Sequence, residues 1–137
     1  MRTLLLLGLL IGLTGCGGDK GQPAFSELNP VTGVVKRNGQ PVKGGKITFT
    51  MDSDKQEFGV NAVVGADGTY TLTTYRLTDS SGERKPGAPA GSYKVSYVPD
   101  ITDQTTGGSM DPIRLTAPVS VAAGSNTLNV DLPASKK

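Results

Sequence analysis

Cys16 is the one cysteine in a chain of 137 residues, and it closes the run Leu13-Thr14-Gly15-Cys16. Its thiol is the side chain best suited to covalent chemistry. The chain contains no histidine, which removes a Ser/His/Asp triad and histidine-based zinc sites. Asp52 and Asp54, with Glu57 nearby, offer oxygen ligands of the kind Ca²⁺ takes, and Asp100 with Asp103 repeats the theme. Both groups sit in polar stretches and read first as solvated turns. Ser80-Ser81 ahead of Arg84-Lys85 suggests a Ser/Lys pair, but nothing in the spacing would depress the lysine pKa as nucleophilic activation requires. No catalytic residue, cofactor or metal is therefore expected.

The elements around Cys16 explain its position. Arg2 supplies a positive start, and residues 4–13 form an apolar run. That run is too short for a bilayer span, which needs roughly 20 apolar residues, and has the length of a signal-peptide core. The tetrad ending at Cys16 resembles the bacterial lipobox, Leu-[Ala/Ser/Thr]-[Gly/Ala]-Cys. The resemblance implies cleavage between Gly15 and Cys16, with Cys16 carrying diacylglyceryl and acyl (palmitate-type) chains. Two or more acyl chains on one residue suffice for stable anchoring. A lipidated Cys16 leaves no thiol for a disulfide. Gly17, where an Asp would favour retention in the inner membrane, favours the outer membrane in a double-membraned host. The expected protein is exported and lipid-anchored to the cell envelope.

Residues 1–15 thus read as signal peptide and 16–30 as lipidated Cys and flexible tether, with Phe25 and Leu28 able to dock on the domain instead. Residues 31–133 read as one domain and 134–137 as a tail. With 19 Gly and 9 Pro and no helical period beyond the signal, the domain is expected to be all-β. Residues 31–37 and 46–51 alternate as half-buried strands do. Asn38-Gly39 and Asp67-Gly68 are hairpin turns, and Pro41 with Lys43 marks a protected edge. Further strands are expected at 60–64, 70–75 and 92–98, and a final hairpin pairs 117–122 with 126–132. Long loops span 76–90 and 99–112. The sum is a seven-stranded antiparallel β-sandwich.

Four motifs in order resemble the carboxypeptidase regulatory-like domain, a transthyretin-like (prealbumin-type) sandwich with Ig-like architecture. They are Val31-x-Gly33-x-Val35, Gly39-x-Pro41-Val42, Asp67-Gly68-x-Tyr70-x-Leu72 and Pro89-x-Gly91-x-Tyr93-x-Val95. Enzymes on related folds use histidine and a C-terminal Tyr-Arg-Gly-Ser motif, or Tyr/His iron ligands. This chain, ending Leu-Pro-Ala-Ser-Lys-Lys, has neither set. With the lipobox, the single sandwich and the missing catalytic residues, the expectation is a non-enzymatic envelope lipoprotein that touches the membrane through Cys16 and presents its domain to a protein or glycan, and the edge protection at Pro41 and Lys43 points to a monomer. The alternative is a carbohydrate- or peptidoglycan-binding module, with Tyr75 as the exposed stacking candidate. With 14 basic against 12 acidic residues, the chain has no long-range field for nucleic acid.

Overall fold

The computed structural model describes residues 22–52, 56–102 and 110–134. Gly15, Cys16, Asp54 and Asp103 lie outside the described residues. The fold is all-β and consists of a five-stranded and a seven-stranded sheet packed face to face.

The strand Val31–Arg37 (β1) alternates as its sequence requires, with Val31, Gly33, Val35 and Arg37 buried. Asn38 and Gly39 both take positive φ, 52° and 76°. That is the two-residue turn whose twist matches paired strands, and Gln40–Pro41 (β2) returns along β1. After the Gly44-Gly45 turn, Lys46–Met51 (β3) and Phe58–Val63 (β4) pair antiparallel. The Asp67-Gly68 turn is fastened by the Asp67 carboxylate, which accepts from the Thr69 hydroxyl at 2.6 Å and its N–H at 3.1 Å. These bonds, the hydroxyl first, hold Asp67 below its ordinary pKa.

Three expectations give way at this point. Residues 70–75 are not one strand. Thr69–Thr71 (β5) pairs with β1 in the small sheet, whereas Thr73–Arg76 (β6) pairs with β4 in the large one. Leu72 is the crossing point: its N–H donates to Val31 O (3.0 Å) and its carbonyl accepts from Gly87 N (2.9 Å). Residues 76–90 are not a single loop, because Arg84–Pro86 (β7) pairs with β6. Pro86 is tolerated because β7 is an edge. Finally, 117–132 is not a hairpin. Gly91–Val98 (β8) takes Ile113–Arg114 (β9) and Val119–Val121 (β10) along one edge, while Asn126–Thr127 (β11) and Val130–Leu132 (β12) lie along β1.

The β1 pairings with β11 and β12 are parallel, so the small sheet is mixed, and among the described residues the strand segments number twelve rather than seven. The side chain of Asn126 bonds to Ala122 N (2.9 Å) and O (2.9 Å) and to Gly124 O (2.8 Å), closing the turn that carries the chain from one sheet to the other. Period-two alternation tells which face of a segment is buried. It does not tell which sheet the segment joins.

Phe49 of β3 links the sheets, with ring centroids 6.1 Å from Tyr70 and 5.8 Å from Tyr93. Three buried tyrosines each donate to a backbone carbonyl: Tyr70 to Leu128, Tyr93 to Pro89 (2.6 Å) and Tyr97 to Gly44 (2.6 Å). Burial pushes the Tyr93 phenol up to about 12 and raises that of Tyr70 as well.

The end of the tether packs on the domain. Arg76 Nε donates to Pro23 O at 2.7 Å. Phe25 rests on Phe58 at 5.5 Å between centroids, with the Arg76 guanidinium 4.1 Å and Lys85 Nζ 4.7 Å from its ring. Asn29 is buried and pairs with Ala88 through both backbone groups (2.8 and 2.9 Å). Its side chain also accepts from Gly124 N (2.9 Å). Gly87, at φ +99°, lies against the Asn29 backbone, where a Cβ would stand 2.8 Å from its carbonyl oxygen.

Candidate functional site

The surface with the most unspent chemistry is the outer face of the large sheet, ordered β10-β8-β3-β4-β6-β7. Alternation sends Phe49, Val60, Thr74 and Val95 inward and their neighbours outward. Register then aligns Pro86, Thr73, Asn61, Thr48, Ser96 and Arg114 in one row across six strands. A second row holds Arg84, Tyr75 and Gly59, continued by Thr50 and Lys94. The rows carry hydroxyls, one amide and cations. Lys46 points to the same side from the start of β3.

Arg84 is held in place. Its Nη1 donates to Asn61 Oδ1 (2.8 Å) and to Thr73 Oγ1 (3.0 Å), and its guanidinium carbon stands 4.5 Å from the Tyr75 ring centroid. Tyr75 in turn lies over Gly59, where any Cβ would collide with the ring. Asn61 is 4% exposed, so the anchor of this cluster belongs to the sheet itself, while Arg84 remains exposed.

At the other end, a groove of about 440 Å³ runs along β8. Its floor is the outer side of β8 with Ser92, Lys94 and Ser96, and its wall is the segment from Arg114 to Pro118. That segment leaves β9, donates from Leu115 N to Val95 O (3.0 Å), and bulges before β10. Pro118, which has no N–H to give a ladder, helps to keep the bulge open. Asp52 sits at the rim, 3.6 Å from Lys94. The volume falls in the range of small-ligand sites, roughly 300–1,000 Å³.

The residues singled out from sequence fall elsewhere or are engaged otherwise. Asp52 pairs with Lys94, and Asp100 accepts from Thr102 N and Oγ1 (2.9 and 2.8 Å). Ser81 N donates to Asp79 (2.8 Å), while Lys85 reaches Glu83 (4.0 Å) and Phe25. Hydrogen bonding from Ser81 holds Asp79 below its ordinary pKa, with smaller contributions from Gln22 and Arg76. Among the described residues, no group of three or more Cys, Asp or Glu could hold a metal ion. Tyr75, expected to be an open stacking platform, is half-buried and covered by Arg84. Sequence reasoning missed Arg84, Asn61, Lys94 and Arg114 as one surface. The available signal lay in β3 and β8, whose outward positions, Lys46-Thr48-Thr50 and Ser92-Lys94-Ser96, mix charge with hydroxyls.

Among the described residues, no helix is long and apolar enough to cross a membrane. No family model matches this chain, and no curated protein matches it. Among solved structures, a crystal structure of a DUF3823 family protein from Parabacteroides merdae is similar, with a TM-score of 0.48 and 13% sequence identity. The similarity covers 77% of this chain and 46% of that one. This chain therefore matches about half the length of that protein.

Proposed function

We propose that this protein is a non-enzymatic lipoprotein of the bacterial cell envelope, anchored through lipid on Cys16 and presenting its sandwich for contact with an envelope component. The observation that carries this reading is how the domain uses its reactive groups. The buried tyrosine hydroxyls tie backbone carbonyls. Asp67 and Asp79 fasten turns, and Arg76 and Lys85 clamp Phe25. On the outer face of the large sheet, Arg84, Lys94, Ser92 and Arg114 remain exposed for contact. The four ordered motifs support taking the domain as transthyretin-like, of the carboxypeptidase regulatory-like kind, and the edge protection at Pro41 and Lys43 supports a monomer.

The docked arm sharpens the picture of anchoring. Only residues 17–21 separate Cys16 from Gln22, and five residues reach at most about 18 Å when extended. The end of the sandwich that bears Pro23 and Phe25 would stand nearest the bilayer. In a double-membraned host, Gly17 after the lipidated Cys favours the outer membrane. Metabolic labelling of cells with an alkyne fatty acid tests the anchor: the wild-type chain should take up label and fractionate with the outer membrane, and Cys16→Ser should do neither. An unlabelled wild-type chain, freely soluble after cell lysis, would overturn the proposal.

A further inference from the structure

We infer that the outer face of the seven-stranded sheet binds an acidic polysaccharide, with Arg84 as the fixed donor to a sugar carboxylate and the groove along β8, four strands away, holding a sugar further along the same chain. The inference rests on the contact-module reading above and deepens it. Charge is the first argument. Over the whole chain basic and acidic residues nearly cancel, yet this face gathers Arg84, Lys94, Arg114 and Lys46, while Asp52 is the one acid lining the groove. Folding concentrates what composition averages away.

Preorganisation is the second argument. Asn61, Thr73 and the Tyr75 ring hold the Arg84 guanidinium before any ligand arrives. A planar guanidinium matches a carboxylate with two parallel N–H donors. Fixing it during folding removes part of the ordering cost from binding.

The third argument separates glycan from other polyanions. Protein interfaces centre on aromatic or aliphatic anchors in pockets. The two rows instead present Thr48, Thr50 and Ser96, with Ser92 beside them in the groove, hydroxyls that exchange hydrogen bonds with a polyhydroxyl ligand. Single-stranded nucleic acid stacks its bases on open aromatics, and here Tyr75 is covered by Arg84. Six strands at a spacing of about 4.8 Å make a surface about 24 Å wide, which suits an extended chain of sugars.

The test is calorimetric titration of the full chain, purified in detergent, with polygalacturonate, dextran and poly-glutamate. Polygalacturonate should bind, and more weakly as salt rises. Arg84→Ala should lower that affinity at least about tenfold, the loss of one charge-assisted contact, while still melting cooperatively, at a midpoint lowered by the partner that Asn61 loses. Arg84→Lys should not restore it, and Lys36→Ala on the other sheet should leave it unchanged. Equal affinity for dextran would remove Arg84 from recognition and overturn the inference. Equal or tighter binding of poly-glutamate would reassign the face to acidic protein and overturn it too. Unchanged affinity in Arg84→Ala, or no binding of polygalacturonate, would do the same. Failure here with Cys16 acylated would leave the anchored contact module standing, whereas binding without acylation would remove the anchor alone.

Discussion

Two tyrosines lie across two glycines in this molecule, one pair on each side of the large-scale boundary between core and solvent. Tyr70 of β5 is in register with Gly33 of β1, and Tyr75 of β6 is in register with Gly59 of β4. In both, a Cβ on the glycine would strike the tyrosine ring. The inner pair is sealed: Tyr70 is 3% exposed, donates to Leu128 O, and meets Phe49 across the core. The outer pair is capped by Arg84 and faces solvent. One local device thus does two tasks. Inside, it joins β5, β1 and the β11–β12 joint; outside, it makes a seat for a cation. The difference lies in what stands behind each glycine, not in the pair itself.

Substitution of the glycines should break the symmetry most plainly. In Gly33→Ala the new methyl meets the Leu128 backbone as well as Tyr70, and backbone in a sheet cannot rotate away. A loss of about 3 kcal/mol is expected, the upper end for overpacking, read from the urea midpoint. Gly59→Ala meets the Tyr75 ring, which can swing toward solvent, and should cost about 1 kcal/mol. Comparable losses at both sites would end the distinction.

The hydroxyls give the next contrast. Tyr70→Phe strips a hydrogen bond from a part-buried carbonyl and should cost about 1–2 kcal/mol. Tyr75→Phe keeps the ring under Arg84 and should stay within about 0.5 kcal/mol. Alkali extends the test. The raised pKa values of Tyr70 and Tyr93 mean that the unfolded chain loses its phenol protons first, so stability holds below pH 10.0 and declines as pH rises from there toward about 12. Tyr93→Phe should flatten part of that decline in pH-dependent melting curves.

The smallest effect is expected in acid at the surface turn. Asp67 has a lowered pKa, so its contribution is full above 3.8 and fades as pH falls through its folded value. Asp67→Asn should make the acid limb of the melting profile shallower, and an unchanged limb would show that the Thr69 bonds do not matter to stability.

Much of the small-scale structure was legible in the residues. Asn38-Gly39 had to turn because both residues tolerate positive φ, and it does. Val31, Val35, Ile47, Phe49, Tyr93 and Tyr97 had to point inward because alternate residues share a face, and they are buried. The partners of those strands were not legible. Residues 70–75 carry an unbroken β pattern, yet Leu72 bonds to one sheet through N–H and toward the other through its carbonyl. Residues 84–86 were hidden by their charges and Pro86, which an edge strand tolerates.

The candidate surface shows the same limit. Arg84, Asn61, Lys94 and Arg114 come from four strands scattered through the chain, and no local spacing joins them. By itself the sequence determined the β character, the turns, the inward faces and the expectation that Cys16 carries lipid, because each depends on a residue and its near neighbours. Only the tertiary structure decided which sheet each strand joined, that the arm from Gln22 to Asn29 packs on the domain, and that one face brings Arg84, Lys94, Arg114 and Lys46 together. Those features arise from register between distant segments, where the free energy lies in contacts that no short stretch contains.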